Sequence, residues 1–162
     1  MNASTTAHTR RSEADNLRWL LANLVEEVPG IRSVAVVSSD GLLLLSSDPG
    51  LATAGKDPEG PGTGPKGSSA DLATIVSGVG SLTTGAAKLM EGGTVTQTMV
   101  SMDAGALFVM SISDGSLLGA YATPDCDMDV VGYHMALFVG RAGHVLTPEL
   151  RTELRKSMEL DQ

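Results

Sequence analysis

Apolar residues near the start of the chain recur at helical spacing. Leu17, Leu20, Leu21, Leu24 and Val28 are separated by Asn16, Arg18, Asn23, Glu26 and Glu27. A period near 3.6 with polar residues between predicts a helix with one buried face. It should begin near Glu13 and end at Pro29-Gly30, a pair that cannot continue it. Residues 1–12 are polar, include Arg10 and Arg11, and lack such a period, so they are expected to form a disordered leader. From Ile31 to Val37 the residues are largely β-branched and predict a strand. Ser39-Asp40-Gly41 follows as a hairpin turn, because Asp-Gly readily takes the positive φ angles of a tight turn. Leu42 to Ser47 is the expected return strand.

The pattern breaks between Asp48 and Ser69, where glycines alternate with Pro49, Pro58, Pro61 and Pro65. Such a stretch cannot build a core and is expected to be a flexible loop. A second helix is predicted from about Ser69 to Met90, capped by Ser69 or Asp71. Leu72, Ile75, Val76, Val79, Leu82, Ala86 and Leu89 form its apolar stripe. Thr74, Gly78, Ser81 and Gly85 form a second stripe of small residues. Glycine inside a helix costs about 1 kcal/mol relative to alanine, so a close approach of another backbone is expected there. After Gly92-Gly93 come three strands, Thr94 to Met102, Ala106 to Ile112 and Ser116 to Ala122. Asp103-Ala104-Gly105 and Asp114-Gly115 join them as hairpins. A third helix from Asp129 to Val145 should turn Val131, Met135, Phe138 and Val139 inward. Thr147-Pro148 resembles an N-cap followed by proline at the first helical position. It should open a charged C-terminal tail helix with Leu150, Leu154 and Met158 on one side.

The succession α-β-β-α-β-β-β-α predicts an α+β sandwich within the α/β class, a five-stranded antiparallel sheet flanked by helices. The expected organisation is a leader at 1–12, one domain at 13–146 containing the 48–69 loop, and a helical tail at 147–162.

Composition narrows the function. The chain has 162 residues, 42% of them hydrophobic, enough for one domain with a real core. The net charge is -8, with only 11 lysines and arginines and 3% aromatic residues. Nucleic acid and anionic membranes are therefore unsuitable partners. No apolar run approaches the roughly 20 residues of a membrane helix, and no signal peptide is evident. The single cysteine, Cys126, fits a reducing cytoplasm and rules out an internal disulfide.

Candidate chemistry is sparse. The run Gly60 to Ser68 resembles a phosphate loop, but Lys66 precedes Gly67 and no strand leads into it. Gly78-Val79-Gly80 starts like a dinucleotide fingerprint, but Thr83 replaces its last glycine and the run lies within a helix. Asp125, Asp127 and Asp129 are spaced like the start of a calcium loop. Val130 and Ala136 occupy the positions that need glycine and glutamate, so helix capping explains these acids better. His134 and His144 stand about 80° apart around a helix of 3.6 residues per turn, and His8 lies in the leader. No nucleophile–base pair is visible, so neither a catalytic residue nor a cofactor or metal is assigned.

The helix ending in Val28-Pro29-Gly30, the run Val34-Ala35-Val36-Val37-Ser38-Ser39-Asp40-Gly41-Leu42, the long second helix and the Thr94–Ala122 meander together resemble the roadblock/LC7 family. The resemblance covers roughly Asp15 to Val145; the loop before the second helix and the tail depart from the pattern. It implies a profilin-like architecture and a homodimer or heterodimer in which second helices pack together and third strands pair edge to edge. Thr74, Gly78, Ser81, Gly85, Thr94, Thr96 and Thr98 are then the dimer residues. It also implies service to a small Ras-like GTPase in a cytoplasmic bacterial signalling system, with sensor-kinase components as further candidate partners. Thr84 and Lys88 on the second helix are the candidates for the GTPase contact. Lys88 is the sole basic residue in that region, so any effect on hydrolysis is expected to come from ordering the GTPase switches, not from an inserted arginine. The rival reading is a small-molecule sensor of PAS or GAF type, which needs a roomy apolar pocket.

Overall fold

The computed structural model describes residues 3–47, 69–113 and 115–160. The expected 48–69 loop lies outside these residues, except for Ser69. In chain order the elements are α1 (Ala3–Glu27), β1 (Ile31–Val37), β2 (Leu43–Ser46), α2 (Ser69–Leu89), β3 (Thr98–Met102), β4 (Gly105–Ser111), β5 (Leu117–Ala122), α3 (Met128–Val145) and α4 (Pro148–Leu160). The five strands form one antiparallel sheet in the order β2-β1-β5-β4-β3.

Alternation along the strands divides the core in two. Val34 and Val36 of β1, Phe108 and Met110 of β4, and Leu118 and Ala120 of β5 point to one face. There they meet Leu17, Leu21 and Leu24 of α1, Val131, Met135 and Phe138 of α3, and Leu150 and Leu154 of α4. Ala35, Val37, Leu107 and Val109 point to the other face, under Leu72, Ala73 and Val76 of α2. Period-2 alternation makes this possible, since neighbouring residues of a strand serve opposite layers. α2 lies close to the sheet at Gly119, where a Cβ would fall 2.5 Å from a methyl of Val76.

The turns follow their local chemistry. Gly41 has φ +89°, and the Ser38 hydroxyl donates to the Asp40 carboxylate and accepts from the Leu42 amide. Asp127 caps α3 by accepting from the amides of Asp129 and Val130. Thr147 caps α4 by accepting from the amide of Leu150 at 3.2 Å.

Three expectations are corrected. Residues 3–12 of the expected leader are helical: α1 starts at Ala3, ten residues before Glu13. Residues 3–12 contain no proline or glycine to stop a helix already nucleated by the packed segment that follows. The tail is no appendage: α4 packs on β2 and α1, and Leu150 and Leu154 are fully buried in the larger core. The third strand is shorter than expected. Glu91 at φ +54° and Gly93 at φ +79° reverse the chain after α2, and pairing begins at Thr98 opposite Val109. Thr94 and Thr96 therefore lie in the loop ahead of β3.

Candidate interaction surface

α2 is buried only along its sheet side. Ile75, Leu82 and Leu89, expected in one inward stripe with Leu72 and Val76, are 51%, 75% and 87% exposed, and Met90 just beyond the helix is 78% exposed. The stripe spans a wide arc of the helix, and the sheet covers one edge of it. At 3.6 residues per turn, Ile75, Gly78, Leu82, Gly85, Ala86 and Leu89 share a continuous outward face. A Cβ built on Gly78 or Gly85 meets nothing within 4 Å. No close backbone among the described residues accounts for those two glycines.

This apolar face leads into β3, the strand at the edge of the sheet. Thr98, Val100 and Met102 register with Val109, Leu107 and Gly105, which places them on the α2 side. Val100 and Met102 are exposed and Thr98 is half-buried. The outward side of α2 and the edge of β3 thus form one apolar surface, along which the backbone groups of β3 have no further strand partner among the described residues.

The other flank of α2 is polar. Ser77, Ser81, Thr84 and Lys88 follow one another at spacings of four, three and four, starting with Ser77 beside the β1–β2 turn. A Cβ on Gly41 would touch the Ser77 hydroxyl at 3.4 Å. Thr84 is exposed, with its hydroxyl donating to the Gly80 carbonyl at 2.8 Å, and Lys88 is exposed at the helix end. Of the expected dimer residues, Gly78 and Gly85 lie on the apolar face, and Thr74 and Ser81 border it. Thr98 lies on the adjoining strand, whereas Thr94 and Thr96 belong to the preceding loop. Thr84 and Lys88 sit on the separate polar flank. Sequence reasoning missed Ile75, Leu82, Leu89, Met90, Val100 and Met102 as surface residues. The available signal was apolar residues spread over more of the helix than one sheet can cover.

Elsewhere the chemistry is quiet. Cys126 is half-buried, and burial and the carboxylates of Asp125 and Asp127 push its thiol pKa up, which keeps it a poor nucleophile at neutral pH. The Thr123 hydroxyl holds Asp125 below its ordinary carboxyl value, with Arg32 assisting. A cleft of about 460 Å³ opens between α1 and α4, but Arg11, Asp15, Arg18, Glu153 and Lys156 line it. It is a charged surface groove, unlike the apolar sensor pocket of the rival reading.

The Roadblock/LC7 domain model matches residues 62–122, which include α2, β3, β4 and β5. A Roadblock/LC7 domain from Streptomyces avermitilis is 32% identical over 80% of this chain and 97% of its own, with a TM-score of 0.63. The chain belongs to the Roadblock/LC7 family. The same fold recurs in more distant solved structures. MglB of Myxococcus xanthus is 12% identical with a TM-score of 0.67, covering 82% of this chain and 88% of its own. The gliding protein MglB of Thermus thermophilus is 17% identical with a TM-score of 0.65, covering 82% and 90%. No curated protein matches the sequence. For this Roadblock/LC7 domain, a family of regulators and adaptors, the matched segment carries the whole apolar surface of α2 and β3. Among the described residues, no helix is long and apolar enough to cross a membrane.

Proposed function

We propose that this Roadblock/LC7 domain is a non-catalytic cytoplasmic regulator that pairs with a second copy of itself and binds a small Ras-like GTPase. The observation that carries the pairing is the outward face of α2. Its leucines are exposed in the single chain, and Gly78 and Gly85 have open space before them. Helix glycines carry a conformational cost, and apposition of a second α2 offsets it by letting the backbones approach. Joining of β3 edges in the same complex satisfies their free N–H and C=O groups.

The GTPase reading rests on family resemblance, supported by a second, polar flank on α2 that pairing through the apolar face leaves accessible. Thr84 and Lys88 are its contact candidates. A small partner of this kind acts by fixing the GTPase switch segments, since α2, β3, β4 and β5 carry no arginine. Sensor-kinase components fit as additional partners of the same signalling system.

Titrating Ras-like GTPases from the same organism, loaded with GDP or a GTP analogue, tests this. Binding in one nucleotide state, weakened by Lys88→Glu with the dimer intact, is the expected result. Absence of binding in both states for every such GTPase overturns the GTPase reading; a monomer by sedimentation overturns the pairing.

A further inference from the structure

We infer that the outer face of α3, together with the acidic end of the sheet beside its N-terminus, docks a basic amphipathic polypeptide segment of a partner protein. Two independent observations meet there. The first is apolar exposure. Val131, Met135, Phe138 and Ala142 take the buried side of α3. Val130, Tyr133 and Leu137 lie at helical spacing on another side and are exposed, Tyr133 by 63%. Val130 and Leu137 are partly covered and Tyr133 meets the His134 ring edge-on, and all three lie across the sheet from the α2 face.

The second is charge. Pairing of Ile31 with Ala122, of Ala106 with Ala122 and of Met102 with Gly105 brings one end of β1, β5, β4 and β3 together. The Thr123 amide donates to the Gly30 carbonyl at 2.8 Å, which ties the end of α1 to the approach to α3. Glu26, Glu27, Asp103, Asp125, Asp127 and Asp129 gather at this end, all exposed. Arg32 is the one basic residue described among them. The positive end of the α3 dipole offsets only about half a charge. No lysine or arginine occurs on α3 before Arg141. An apolar helix face beginning in a strongly negative region complements a segment with an apolar side and several lysines or arginines.

The inference does not rest on the GTPase reading, because it uses neither face of α2. A fluorescent synthetic amphipathic peptide of leucine and lysine, and its leucine–glutamate counterpart, probe it against the full chain. The lysine peptide should bind, more weakly as salt rises, and the glutamate peptide should not. The quadruple change Glu26→Gln, Glu27→Gln, Asp125→Asn and Asp129→Asn should weaken binding about tenfold or more, roughly 1.4 kcal/mol or more. Asp127 is left in place because it caps α3. Tyr133→Ser with Leu137→Ser should weaken it similarly, with an unchanged melting temperature showing that the fold persists. Removing four acids elsewhere, by Glu13→Gln, Asp15→Asn, Glu153→Gln and Glu159→Gln, should leave binding intact, as should Leu82→Ser on α2. Equal loss in both charge variants would reduce the effect to net charge and overturn the site. So would full binding by the Tyr133/Leu137 variant, loss of binding with Leu82→Ser, or no binding of the lysine peptide.

Discussion

Gly30 and Gly85 show how one residue type serves opposite ends in this chain. Gly30 has φ +94°, and an added Cβ would meet the Cβ of Cys126 and the Thr123 hydroxyl, each at 2.8 Å. Gly30→Ala therefore combines backbone strain with a clash and should lower stability by about 1 kcal/mol or more, read as a lower urea midpoint. Gly85 has no contact to lose and no positive φ. Gly85→Ala should stabilise the separated protomer by up to about 1 kcal/mol through helix propensity. Gly85→Leu should leave the protomer folded and shift sedimentation toward monomer; an intact dimer would place the interface elsewhere. At this scale much was legible. Asp40-Gly41 announced its turn, and Thr147-Pro148 its cap. Thr94 and Thr96 were not legible as loop residues, because Glu91 takes a left-handed conformation that its own side chain does not favour.

Among the elements, the buried sides of α1 and α3 were readable because in each a periodic apolar arc meets one sheet face that covers it. α2 was not, for a physical reason: periodicity reports that a helix has an apolar side, not how much of that side the same chain covers. Leu82 and Val76 look alike in sequence, yet one is exposed and the other lies against Gly119. The extension of α1 to Ala3 escaped notice because helix continuation requires only the lack of a breaker, which leaves no positive mark. α4 carried a visible pattern, but pattern alone did not reveal that it completes the core over β2. Leu150→Ala should accordingly cost about 2–5 kcal/mol, the range for a buried leucine. Thermal or urea unfolding gives the check: a loss well below 1 kcal/mol would make α4 peripheral.

For the whole molecule, exposed carboxylates couple stability to pH. Asp40 is held below the usual carboxylate range first by the Ser38 hydroxyl and also by Arg155, 3.6 Å away on α4. Glu149 is held down by its own backbone amide and by Thr147, and Asp125 chiefly by Thr123. Each group binds its proton less tightly when folded than when unfolded. Their stabilisation is therefore present above the ordinary carboxyl values near 4 and is lost as pH falls through the lower folded values. The urea midpoint should fall from pH 5 to pH 3, less steeply in Asp40→Asn; an identical slope would remove Asp40 from the account.

The two margins of the sheet differ in a way that bears on how far assembly can proceed. β2 is four residues long, and its pairing with β1 slips between Val36 and Val37. A short, irregular margin is a poor template for a further strand. β3 pairs with β4 without interruption over five residues. Among the described residues there is one receptive margin, so the proposed two-fold union would consume it on both sides and leave no equivalent described strand for a third chain. Under the pairing proposed above, edge association should terminate itself: raising the concentration should populate a closed, symmetric species and not lengthen a fibre.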